Sequence, residues 1–101
     1  MRSLRGLMAV ALLLPLAAAA ATHTVTIEGM KYAPATLTVK KGDKVTWRNK
    51  DVVPHTATAA GRFDSKQIAP GASWTWTAKK AGTYDYICTY HPGMKATVEV
   101  K

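Results

Sequence analysis

The sequence predicts a small all-β sandwich, and three observations carry that expectation. Past residue 20 there is one leucine, Leu37, against 23 threonines, valines and isoleucines, a balance that favours pleated backbone over helix. Bulky and polar residues alternate with period two in six short stretches. Turn-forming residues separate those stretches at short intervals. At 101 residues the chain has room for one domain, which excludes a multidomain enzyme.

The chain opens with a segment of another kind. Arg2 and Arg5 precede an apolar run from Leu7 to Leu16 and then a stretch of alanines, the pattern of a secretory leader. The expected organisation is a cleaved leader over residues 1–20 and one domain over residues 21–101, exported to a bacterial periplasm. The apolar run falls short of the roughly 20 residues that cross a bilayer, and no later stretch is as apolar, so no span is expected in the mature form.

The six alternating stretches follow in order: Thr24–Ile27, Thr36–Val39, Lys44–Trp47, Ser73–Trp76, Thr83–Tyr86 and Thr97–Val100. Each puts its bulky residues on one face, as a half-buried strand does. The turns between them are expected at Lys41-Gly42-Asp43, Asn49-Lys50-Asp51, Ala60-Gly61, Pro70-Gly71, Lys80-Ala81-Gly82 and Pro92-Gly93. Residues 52–60 are less regular and read as loop with a short strand. The whole predicts a small antiparallel sandwich.

Charge and cysteine usage narrow the function. Without the two leader arginines there are 12 cations against 6 acids, a net +6. No run of five basic residues occurs, so the charge points to an acidic protein partner before nucleic acid. Cys88 is the sole cysteine, which rules out an internal disulfide. A lone thiol in an oxidising compartment is a liability unless it is buried or bonded to something else.

A bond to metal is the account its neighbours support. Cys88, His91 and Met94 stand at three-residue intervals around Pro92-Gly93, which places a thiolate, an imidazole and a thioether on one turn. The strand before it is expected to end at Cys88 and the next to begin after Met94. Of the two other histidines, His55 is the better fourth donor. It lies 33 residues before Cys88, far enough for the intervening strands to bring it back, and Pro54 restricts the backbone leading into it. Two imidazoles, one thiolate and a thioether make the donor set of a blue-copper electron-transfer site, whereas zinc usually takes more thiolates or carboxylates.

The residues past the leader resemble the cupredoxins, and among these small type 1 copper proteins most closely the amicyanins, with plastocyanin and pseudoazurin more distant. The resemblance rests on Tyr32-Ala33-Pro34 with Leu37 and Val39, on residues 42–49, on Pro54-His55, on residues 82–86 and on residues 88–94. It implies a Greek-key β-sandwich of the cupredoxin type holding one Cu(I)/Cu(II) ion per chain. His55, Cys88 and His91 are the implied equatorial ligands and Met94 the weak axial one. It also implies that His91, ringed by Pro92, Gly93 and Pro54, is the electron's port. Two departures stand out. Thr56 follows the first histidine where many cupredoxins have an asparagine that ties the two ligand loops together. Tyr90 and Gly93 stand where amicyanin has proline and a bulky aromatic.

The expected function is a one-electron carrier, not an enzyme, working as a monomer between a donor dehydrogenase or cytochrome and an acceptor cytochrome or oxidase. The alternative is periplasmic copper storage or delivery. Cleavage after Ala20 would leave Ala21-Thr22-His23 as a terminus able to wrap Cu(II) in a square plane, the plainer reading being a histidine on the first strand. Met30 is expected to pack in the core or at an edge.

Overall fold

A computed structural model describes residues 19–101; the expected leader lies, up to residue 18, outside the described residues. Nine strands form: β1 (Thr22–Glu28), β2 (Lys31–Ala33), β3 (Thr36–Val39), β4 (Lys44–Asn49), β5 (Thr58–Ala59), β6 (Phe63–Asp64), β7 (Ser73–Thr77), β8 (Gly82–Cys88) and β9 (His91–Val100). All six alternating stretches are strands, and the described residues contain no helix. The irregular stretch ends in the two-residue β5, as its composition suggested. β2 and β6 are too short to leave a period-two pattern in the sequence.

The strands make two sheets, in the orders β2-β1-β4-β7 and β3-β9-β8-β5-β6. The expectation of an antiparallel sandwich needs correcting. β1 runs parallel to β4, with Thr22 opposite Lys44 and Ile27 opposite Asn49, and β3 runs parallel to β9. Alternation and turn residues specify that strands exist and where they stop, but they carry no information on which strands pair. Here β2 and β3 carry the chain from one sheet to the other before β4 returns to β1.

Between the sheets lies an aromatic core. Trp47 is fully buried and meets Tyr86 edge-on with ring centroids 5.4 Å apart, and Phe63 and Trp74 at 5.4 and 5.5 Å. Val25, Ile27, Val45 and Val98 fill the space around these rings, all at 0% exposure. β7 is an edge strand, so Trp74 and Trp76 are only half-buried. The Tyr86 hydroxyl and the Trp47 indole N–H are buried without a hydrogen-bond partner.

Strand direction gives the sandwich two ends. β1 and β4 both finish at one of them, and β8 reaches the same end at Cys88, having paired Gly82 with Val100 at the other. The turn after Asn49, the Gly29-Met30 turn and the Cys88 hairpin therefore share one end. The Lys40–Asp43 turn, Ala78–Ala81 and Lys101 share the other, where Gly42 N–H donates to Ala78 O and Lys101 N–H to Val39 O. A six-residue strand separates them by about 20 Å.

Candidate metal centre

The loop after β4 is shaped by Asn49, whose fully buried side chain donates to Val53 O at 2.9 Å and to Ile68 O at 3.0 Å and accepts from Asp51 N–H at 2.9 Å. That folds the loop back over its own strand. His55 then enters the sandwich through a two-way backbone bridge with Ile68. Its side chain is fully buried, which orients both ring nitrogens. Nε2 lies 2.7 Å from Asp51 Oδ2, and Nδ1 faces Cys88 Sγ at 3.6 Å. Two donors sharing one metal at bonds of about 2.0–2.3 Å stand roughly 3.5 Å apart, so this edge has the span that a shared ion requires.

Asp51 is the functional residue that sequence reasoning missed. Its Oδ1 accepts from Gly29 N–H at 2.6 Å, and its Oδ2 accepts from Met30 N–H at 3.0 Å as well as facing the His55 ring. Both amides belong to the two-residue turn between β1 and β2, where Gly29 and Met30 each have φ of 62°. That conformation suits a twisted hairpin but costs a non-glycine residue about 1 kcal/mol or more. Met30 holds it, half-exposed, while its amide binds Asp51, so the packing role expected of its side chain does not describe it. Burial works against the Asp51 charge, yet the Met30 and Gly29 amides and the His55 ring outweigh it and hold the carboxyl below its ordinary range. An ionised Asp51 keeps the proton of His55 on Nε2 and leaves the Nδ1 lone pair aimed at the sulfur side.

Cys88 is fully buried, and its sulfur accepts from Thr56 N–H at 3.4 Å. That contact holds the sulfur in place facing the His55 ring. Thr56 also answers the question raised by the absent asparagine: its Oγ1 accepts from Thr89 N–H at 2.9 Å and lies 3.3 Å from Thr89 Oγ1. A threonine hydroxyl thus ties the two loops together, and the Tyr32 hydroxyl donates to Thr56 O from beneath.

The hairpin itself departs from expectation. β9 begins at His91, not after Met94, and Cys88 faces His91 across a two-residue turn, Thr89-Tyr90. The pairing then jumps from Cys88 with His91 to Ile87 with Lys95, so Pro92, Gly93 and Met94 form a bulge. Pro92 has no N–H to give a ladder and Gly93 no side chain to pack, which suits both to that place. The bulge turns Met94 inward, to 6% exposure, into the cluster that contains Cys88. His91 stays half-buried, its ring 5.5 Å from that of His55. The four predicted donors therefore lie at one end, His55 Nδ1 and Cys88 Sγ 3.6 Å apart. Among the described residues, His, Cys, Asp and Glu alone make no cluster of three or more able to hold a metal ion.

His23 is not part of this group. It lies on β1 at the far end, with Nε2 2.9 Å from Asp43 Oδ2, while Ala21 N–H donates to Asp43 Oδ1 at 3.0 Å. A histidine on the first strand, the plainer reading, is what the structure contains.

The cupredoxin-like domain family matches residues 4–100. The chain belongs to the cupredoxin-like family. It is 39% identical over 87 residues to amicyanin of Paracoccus denitrificans, covering 76% of this chain, and 39% identical over 74 residues to the chloroplastic plastocyanin of Tetradesmus obliquus, covering 61% of it. The chain spans 63% of the length of that amicyanin and 51% of that plastocyanin. In shape it is similar to a Cu(I) amicyanin variant, with a TM-score of 0.73 and 36% identity over 85% of this chain and 86% of that one. An all-β sandwich of cupredoxin type is therefore its fold.

Proposed function

We propose that this cupredoxin is an exported type 1 copper protein that carries single electrons between periplasmic redox partners, with His55, Cys88 and His91 as equatorial ligands and Met94 axial. The observation that carries the reading is the buried edge between His55 Nδ1 and Cys88 Sγ, 3.6 Å, with the opposite ring nitrogen held by Asp51. The donor set fits: thiolate and thioether suit Cu(I), and imidazole suits both oxidation states. Copper bound there supplies a one-electron couple.

The residues do the rest. Asp51 fixes the His55 tautomer, Thr56 N–H holds the Cys88 sulfur in place, and the Thr56 to Thr89 bond keeps the two loops at a fixed distance. A site whose donors are already held moves little when its charge changes, which is the condition for fast electron exchange. Among the described residues Met30, Val52, Val53 and Tyr90 are the large hydrophobics left exposed, Val52 at 91%, and they form a broken apolar collar at the His91 end, interspersed with exposed Lys31, Lys50 and Lys95. Such a collar suits brief docking of a donor dehydrogenase or cytochrome and of an acceptor cytochrome or oxidase. Net positive charge favours acidic partners, and association is expected to slow as salt rises.

The test is the visible absorption and electron paramagnetic resonance of the purified protein with one equivalent of Cu(II), beside Cys88→Ser. An intense blue band with narrow hyperfine splitting, absent from the variant, is expected. A colourless wild type with a square-planar nitrogen signal overturns the reading, and copper bound without a reversible redox wave turns it toward storage or delivery.

A further inference from the structure

We propose that the end of the sandwich opposite the His55–Cys88 pair is a docking surface for an anionic phospholipid bilayer. Lys40, Lys41, Lys44, Lys79, Lys80 and Lys101 converge there, all exposed, from the turn before β4, the β7 to β8 connection and the residue after β9. They are six of the 12 cations past the leader, gathered from both sheets onto one end. The acids nearby offset them little. Asp43 is buried and already occupied by His23, Ala21 N–H and Lys40 N–H, and Glu99, half-buried, lies one residue in from the end of β9. Exposed Arg62 lies against Gly82 beside Lys79 and Lys80, and facing these cations are Asp43, Glu99 and the α-carboxylate of Lys101.

Two observations favour a lipid surface over an acidic protein. The cations are six lysines, compact point charges suited to diffuse attraction, beside a single arginine. The nearest arginine, Arg62, is stacked over the Tyr84 ring at 4.1 Å. Among the described residues none of the large exposed hydrophobics lies here, so that surface lacks the apolar anchor on which a protein interface is usually centred, whereas adsorption to charged headgroups needs none. A carrier adsorbed this way presents His91 and its apolar collar away from the bilayer.

The test is co-sedimentation of the exported, copper-loaded protein with vesicles of phosphatidylcholine alone or with three-tenths phosphatidylglycerol. Binding only to the anionic vesicles, lost as salt rises, is expected. Changing Lys40, Lys41 and Lys80 together to Gln should weaken it about a hundredfold, at about fivefold per lysine. Changing Lys31, Lys50 and Lys95 together to Gln removes the same charge from elsewhere and should weaken it less than tenfold. Equal losses from the two triples would show attraction by net charge without a docking end, and overturn the proposal. So would failure of the wild type to bind anionic vesicles, including the case in which the first triple instead weakens association with an acidic redox partner. Copper content and the blue band are read on the same samples, so failure of the metal reading is seen separately.

Discussion

At one end of the sandwich His55 meets Asp51 at 2.7 Å; at the other, His23 meets Asp43 at 2.9 Å. The pairs are chemically alike, and their surroundings are not. The His55 side chain is fully buried and has a sulfur at its second nitrogen, whereas that of His23 is 28% exposed. Asp51 takes its other hydrogen bonds from a strained turn 21 and 22 residues away, and Asp43 takes its own from Ala21 and Lys40. A histidine with its carboxylate is thus a positioning device only where burial fixes the ring and a second ligand faces the free nitrogen. At the surface it is a fastening for the first strand.

The sharpest way to break this comparison is to neutralise each aspartate. Asp51→Asn should lower copper affinity 10- to 100-fold and shift the blue band, because an amide no longer fixes the His55 tautomer. Competition titration against a chelator measures the affinity. Asp43→Asn should leave both unchanged, and an equal effect of the two substitutions would erase the distinction.

Next in size is the tie between the loops. Thr56→Val keeps the volume but removes the acceptor of Thr89 N–H, which should cost about 1–3 kcal/mol of stability in urea unfolding and broaden the Cu(II) hyperfine pattern. Thr56→Ser should restore both, and a Val variant indistinguishable from wild type would mean that the hairpin is held by its strands alone.

The fastening at the far end has an acid signature. Hydrogen bonds from His23 first, then from the Ala21 and Lys40 amides, hold the Asp43 carboxyl at about 2, against 3.8 unperturbed. A depressed folded-state value adds stability above the unfolded value and loses it as pH falls through the folded one. Thermal melts should therefore drop between pH 3.8 and about 2 in the wild type, and that portion of the drop should vanish in Asp43→Asn. Smallest is Tyr86→Phe in the core between the two ends. Burial pushes the pKa of the Tyr86 hydroxyl up to about 12 against an opposing contact with the Trp47 N–H, and no hydrogen bond of ordinary geometry forms, so removal should change stability by less than about 1 kcal/mol. A loss of 2 kcal/mol or so would mean that the hydroxyl is satisfied after all.

What the sequence disclosed and what it withheld divide along a physical line. Strands such as Thr36–Val39 were legible because alternation is a property of adjacent residues. Cys88, His91 and Met94 stand out as a group because they recur at three-residue intervals, and His55 because few histidines compete, but the two-residue turn and the bulge that set their places were not legible. The parallel pairing of β1 with β4 was not, since nothing local encodes a partner. Asp51 was hidden for the same reason: it appeared only as a turn former, and its role needs amides that the β1 to β2 turn delivers from elsewhere in the chain. Its one trace is its place four residues before His55. Segregation of the lysines escaped notice because Lys40, Lys80 and Lys101 are far apart in sequence and meet only through the sheets.

β9 comes last among the strands yet lies inside its sheet, between β3 and β8, and its first residues include His91 and Met94. A chain synthesised from its N-terminus gains this strand last. Until then β3 and β8 have no common neighbour and Cys88 has no hairpin partner. A chain lacking β9 therefore lacks two of the four proposed donors, and on that reading the metal cage closes only once β9 is in place.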